Sequence, residues 1–186
     1  MTSIADLYEQ RAAEDTDIKA HMSTLHALAS ECDHVTEFGM RWCSSSIALL
    51  AGLPRRGVLV SYDINPDCQR PAATHGSKRW EFIVADTAQL DLIDDTDLLF
   101  IDTLHDAAQV TAELRQAKWV HRWLVFHDTV LFGTADESTG QPPGIMHAIL
   151  TFMGDHPEWQ VRSHSYESCG LLVLERQWDA SSRTAR

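Results

Sequence analysis

Five carboxylates, Glu37, Asp63, Asp86, Asp102 and Asp128, each stand at the end of a short apolar run: HVTEF, GVLVSYD, WEFIVAD, DLLFID and WLVFHD. His105 follows Asp102 by three residues, and His127 directly precedes Asp128. Carboxylates hold hydroxyls, amino groups, cations and metal ions, and an imidazole exchanges a proton near neutral pH. One aspartate in a turn needs only the local backbone to explain it, because its side chain satisfies nearby N–H groups. Five at equivalent places ask for a common site. Such a rim repels itself, so its ligand should be a cation, a hydroxylated or amino compound, or a metal. A bare phosphate does not suit it. The first turn, VTEFGMRWCSSS, offers Gly39 alone where a dinucleotide fingerprint needs GxGxxG to approach a pyrophosphate. The serines that follow open a helix with hydroxyls able to hydrogen-bond a carboxylate at its N-terminus.

The elements that must place these residues alternate. Residues 4–32 are helical in pattern, with Thr16 or Asp17 as cap of a second segment carrying Ile18, Met22, Leu25 and Leu28 on one face. A strand to Glu37, a helix over Ser44 to Ala51, a strand to Asp63 and a turn at Asn65-Pro66 leading to a further helix come next. Strands ending at Asp86, Asp102 and His127-Asp128 complete the series, the last two separated by the amphipathic stretch AAQVTAELRQAKWV. Strands this apolar are buried on both faces, which specifies an open parallel sheet, and such sheets bind ligands beyond the carboxyl ends of their strands. After the Gly/Pro-rich loop Phe132 to Gly144 comes a helix from Ile145, then WQVRSHSYES and GLLVLERQW, which read as an antiparallel hairpin with its turn at Ser168 to Gly170.

The order VTEFGMRWCSSS, VSYDIN, VADT, LLFIDTLHD, VFHDT and GIMHAILTFMGDHPEWQV…GLLVLER resembles the class I S-adenosylmethionine-dependent methyltransferases. Within them it is similar to a small bacterial group related to macrolide-sugar O-methyltransferases and cephalosporin hydroxylase-like methyltransferases, over Asp17 to Arg176. The resemblance implies an α/β, Rossmann-like methyltransferase fold with a seven-stranded, mostly parallel sheet of order 3-2-1-4-5-7-6, one antiparallel strand and helices on both faces. It places Glu37 and Gly39 beside the methionine part of the cofactor and Ser44 and Ser45 near its carboxylate. Asp63 would take the ribose hydroxyls, Ile64 would pack on the adenine face, and Asp86 with Thr87 would meet the adenine edge. Cys43 stands where glycine is usual, Ala107 where an aromatic is frequent, and Trp42 either covers the cofactor or wedges into the core. In the metal-dependent relatives, an Asp after the fourth strand and an acidic pair after the fifth hold magnesium, with a base three residues past the first Asp. That assigns Asp102, His127 and Asp128 to a metal, and His105, with Asp102, to catalysis. Since His127 replaces a carboxylate, a softer ion such as manganese, iron or zinc competes with magnesium.

The expected reaction is O-methylation of a small hydroxylated acceptor, a sugar or natural-product intermediate. Two rivals are a catalytically silent cofactor-binding subunit or sensor and a metal-dependent hydrolase or hydroxylase. At 186 residues the chain suits one domain, over residues 33–178, preceded by a helical segment 1–32 that could act as a lid and followed by a tail 179–186. A net charge of −12 without a clustered basic face argues against nucleic acid. No apolar run reaches the length of a membrane span, and the charged first twenty residues differ from a signal peptide, so a cytoplasmic protein is expected. The four scattered cysteines suggest free thiols, and six tryptophans are compatible with a homodimer.

Overall fold

The computed structural model describes residues 3–68 and 78–177. Seven strands, β1 (His34–Phe38), β2 (Val58–Asp63), β3 (Trp80–Val84), β4 (Thr96–Ile101), β5 (Val120–His127), β6 (Trp159–Ser165) and β7 (Leu171–Arg176), form one sheet of order β3-β2-β1-β4-β5-β7-β6. The first five run parallel, and β7 is antiparallel to both β5 and β6. This is the expected order, with the reversed strand between its two neighbours.

The central strands are buried along most of their length and mainly apolar, because alternate side chains leave on opposite faces and both faces are covered. In β4, Leu98 and Phe100 enter one core with Val35, Leu59, Trp123, Val125 and Val173, while Leu99 and Ile101 enter the other with Phe38, Val60, Leu124, Phe126 and Leu174. Each such side chain, fully buried, contributes roughly 1.5–3 kcal/mol. Helices α2 (Met22–Ala29) and α3 (Ser44–Gly52) supply the first core; α4 (Ala107–Glu113) and α5 (Ile145–Asp155) supply the second.

Local chemistry explains where the elements depart from sequence expectation. The first helix, α1 (Ile4–Ala13), begins at a reciprocal capping box between Ser3 and Asp6 and stops before Glu14. Asp17 accepts the N–H of Ile18, and a short 3-10 turn at Lys19–His21 leads into α2; Ile18 ahead of the turn and Met22, Leu25 and Ala29 in the helix are buried, and Leu28 only partly so. β3 ends at Val84, and Asp86 instead caps the 3-10 turn Thr87–Gln89 by accepting the N–H of Ala88. After Asn65, Pro66–Cys68 form a 3-10 turn; the helix expected beyond it, like the expected tail, lies outside the described residues. None of the helices described is long and apolar enough to cross a membrane.

Candidate active site

The carboxyl ends of β1 to β4 open into a cavity of about 850 Å³, lined at one end by Tyr62, Asp63, Ile64, Asp86 and Thr87 and at the other by Asp102, Thr103, Leu104 and His105. Gly39 lies between them with φ +84°, and a Cβ there would sit 1.9 Å from the carbonyl oxygen of Asp102. Only glycine lets the chain turn so close to β4. Cys43 also has a left-handed backbone, φ 63°, which accounts for a glycine preference at that position. Its side chain turns away from the cavity into an apolar cluster with Met40, Ile47 and Cys68. Trp42, 68% exposed and on the cavity wall, is not a core wedge.

Each sequence-assigned residue has a definite place. Asp63 accepts the backbone N–H groups of Met40, at 2.9 Å, and Arg41, at 3.1 Å, with one oxygen, and that of Asn65, at 2.8 Å, with the other. It thereby fixes the glycine turn while facing the cavity. Ile64 is exposed on the wall, Asp86 is exposed beside it, and Ser44 and Ser45 line the opposite side.

Glu37 does not line the cavity. It is fully buried, and Ser45 and Ser46 donate to its two oxygens at 2.7 Å, with Ser61 as a third donor. Glu37 and Ser61 are register partners on β1 and β2, and α3 brings its serines onto the same face. Burial pushes the Glu37 carboxyl up to about 7 in spite of the three hydroxyls. The serines that open α3 are thus divided: Ser45 reaches both cavity and Glu37, and Ser46 only the buried side.

At the other end, two carboxylates face two imidazoles. His105 Nε2 lies 2.8 Å from Asp128 Oδ2 and 3.3 Å from Asp102 Oδ1; His127 Nδ1 lies 3.0 Å and 3.3 Å from the same oxygens. Asp128 follows β5 with φ 59°, a conformation aspartate tolerates. Burial works against charge on both rings, but the carboxylates prevail and both histidines are raised to about 10. Asp102 and Asp128 are lowered although burial opposes it, by their bonds to His105 and His127.

Asp102, His105 and Asp128 offer donor atoms all within 4.8 Å of one another, the spacing of a metal group. His127 is not part of that group. It remains within β5, buried, its ring edge-on to His21 at 5.5 Å and its Nε2 without a partner among the described residues, whereas His105 enters from the loop after β4 and lines the cavity. Separations of 3.3 Å from His105 Nε2 to Asp102 and 2.8 Å to Asp128 suit neighbouring ligands on an ion with bonds of about 2.1 Å, so these three residues fit a divalent metal.

Several participants have weak sequence signals. Glu137, in the loop before α5, accepts from His105 Nδ1 at 2.9 Å and donates its backbone N–H to the His105 carbonyl, while Phe132 stacks on the same ring at 4.9 Å. Glu113, on α4, is fully buried and receives Thr87, Thr103 and Gln109. A lone Ser within VLVSYD and a Gln–Glu pair four apart on the buried side of a helix are the available clues.

No family model matches the sequence, and no curated protein matches it. Solved structures do. The methyltransferase PaMTH1 of Podospora anserina, bound to S-adenosylhomocysteine (SAH), superposes with a TM-score of 0.67 at 15% identity, over 95% of this chain and 88% of that one. An O-methyltransferase from Bacillus cereus in complex with SAH gives 0.69 at 17%, over 94% and 90%. TomG, an O-methyltransferase of Streptomyces achromogenes involved in tomaymycin synthesis and solved with S-adenosylmethionine (SAM), gives 0.67 at 15%, over 95% and 97%. With strand order, reversed strand and rim cavity all in agreement, the architecture is the Rossmann-like fold of the SAM-dependent methyltransferases.

Proposed function

We propose that the chain is a SAM-dependent O-methyltransferase acting on a small hydroxylated acceptor, with a divalent metal at the β4–β5 end. The observation that carries this reading is the joining, in one cavity, of the Asp63–Ile64 end with the Asp102–His105 end. Asp63 has two oxygens at the rim for two ribose hydroxyls, Ile64 offers an exposed apolar face for adenine, and Trp42 can cover it. Asp86, Thr87, Gly39, Ser44 and Ser45 border the same space, and Glu37 acts from beneath by holding Ser45.

The methyl group of a sulfonium is already activated, so the protein must align an oxygen behind it and remove that oxygen's proton. Asp102 and Asp128 are the oxygen donors for a metal, with the histidine nitrogens beside them; when bound, the ion would lower the pKa of an acceptor hydroxyl. His105 is assigned the proton, because it alone of the two imidazoles lines the cavity. Flanked by Asp102, Asp128 and Glu137 it retains its own proton up to about 10, so it becomes a base near neutral pH only once cationic charge engages those carboxylates. The N-terminal segment serves as a lid: Asp15 to Ile18 border the cavity, and Asp17 is bridged to Arg41 at 2.8 Å.

Calorimetry with SAH, followed by transfer of a labelled methyl group to catechols and sugars with and without manganese, tests the proposal. Micromolar binding and metal-stimulated transfer are expected. Binding without transfer to any acceptor would favour a silent subunit or sensor. Tight iron or zinc binding without SAH binding would favour a hydrolase or hydroxylase.

A further inference from the structure

The Glu113 network lies behind the Asp86–Thr87 end of the cavity, and no step above uses it. Glu113 is sealed from solvent, and everything around it donates hydrogen to it: the hydroxyls of Thr87 and Thr103 and the side-chain amide of Gln109, at 2.8 Å. The Thr87 hydroxyl, directed at Glu113, accepts the second amide hydrogen of Gln109 at 3.1 Å. Both hydrogens of the Gln109 amide are therefore committed. A carboxylate cannot donate in return, so the amide has one orientation, with its NH₂ inward. Gln109 is also part of the cavity wall beside Thr87, and its carbonyl oxygen makes no hydrogen bond among the described residues. What this wall presents is an acceptor held in place from behind.

We propose that the Gln109 carbonyl reads the exocyclic amine of adenine, with Glu113 as the positioning residue that fixes its direction. The inference rests on the cavity's being the cofactor site. An acceptor here matches the amine of a 6-aminopurine and opposes the 6-carbonyl of a hypoxanthine. A site built around one hydrogen bond rejects the analogue that leaves it unmade. Thr103, the residue that follows Asp102, donates to the same carboxylate, so the network braces the base-binding wall against the β4 loop.

The test is calorimetric titration of SAH and of S-inosylhomocysteine into the wild-type chain, Gln109→Met and Glu113→Gln, with circular dichroism to confirm folding. The wild type should prefer the adenine compound by about 10-fold or more, a single well-placed hydrogen bond plus the clash in the analogue. In Gln109→Met the preference should shrink to about 3-fold or less. Glu113→Gln, which lets the Gln109 amide turn over, should narrow the ratio while keeping measurable SAH affinity, an effect that a purely structural role would not produce. A wild-type ratio near one, or a ratio unchanged in Gln109→Met, overturns the inference alone. No binding of either compound by the wild type overturns the cofactor reading and this inference with it.

Discussion

At the β2–β3 end of the cavity the carboxylates are held by backbone: Asp63 by the amides of Met40, Arg41 and Asn65, and Asp86 by that of Ala88. At the β4–β5 end Asp102 and Asp128 are held by side chains, the imidazoles of His105 and His127. The first arrangement leaves anionic oxygens at the rim to receive neutral hydroxyls. The second neutralises charge in a confined space, so anything that enters must replace protons or share them. On the proposed reading, one end binds the cofactor and the other exchanges charge.

This contrast is broken most sharply by His105→Ala. Methyl transfer should fall by on the order of 100-fold or more, the usual worth of a positioned base, while SAH affinity stays within about twofold. Retained manganese affinity in the same variant, read by electron paramagnetic resonance, would separate the role of base from that of ligand. Asp63→Ala should do the reverse. Loss of charge-assisted bonds to two hydroxyls, together with the anchor of the glycine turn, should weaken SAH binding by about 30-fold or more in calorimetry.

The pH dependence of stability sharpens the comparison with smaller effects. His105 and His127 are raised to about 10 from the ordinary 6.5, so the stability they contribute is full below about pH 6.5 and is lost as pH rises toward 10. Asp128 is lowered, so its contribution is present above the ordinary carboxylate value of 3.8 and is lost only in stronger acid. Without added metal, thermal stability should therefore decline from pH 6.5 to 10. Glu37, raised to about 7 from 4.5, adds a decline of the same sign between those values. Glu37→Gln should gain on the wild type by on the order of 1–3 kcal/mol between pH 5 and pH 8 in chemical denaturation. A constant difference across that range would contradict the buried, raised carboxyl.

The same contrast governs what the sequence discloses. The parallel sheet follows from apolar runs buried on both faces, its strand order from the family resemblance, and Gly39, Asp63, Asp86 and Thr87 fall at the rim because strand ends place them there. Glu37 occupies an equivalent sequence position, yet points into the face covered by α3, where three serines enclose it. Strand alternation decides that, and Ser61 at its register partner is the only trace of it in the sequence. Which histidine faces the cavity depends on tertiary placement: His127 is held inside β5 against His21, and His105 is drawn over the carboxylates by Glu137 and Phe132. Contacts between residues so far apart in the chain leave no local pattern. The Gln109–Glu113 pair is of the same kind, since its meaning depends on Thr87 and Thr103 arriving from other elements.

The most direct measurement is a crystal structure of the chain soaked with SAH and manganese. The ribose hydroxyls should rest on Asp63, with adenine over Ile64 and beside Gln109, and an anomalous peak should lie about 2.1–2.2 Å from carboxylate oxygens of Asp102 and Asp128. A nucleoside bound elsewhere, or a clear cavity at saturating SAH in a well-ordered crystal, would contradict the account.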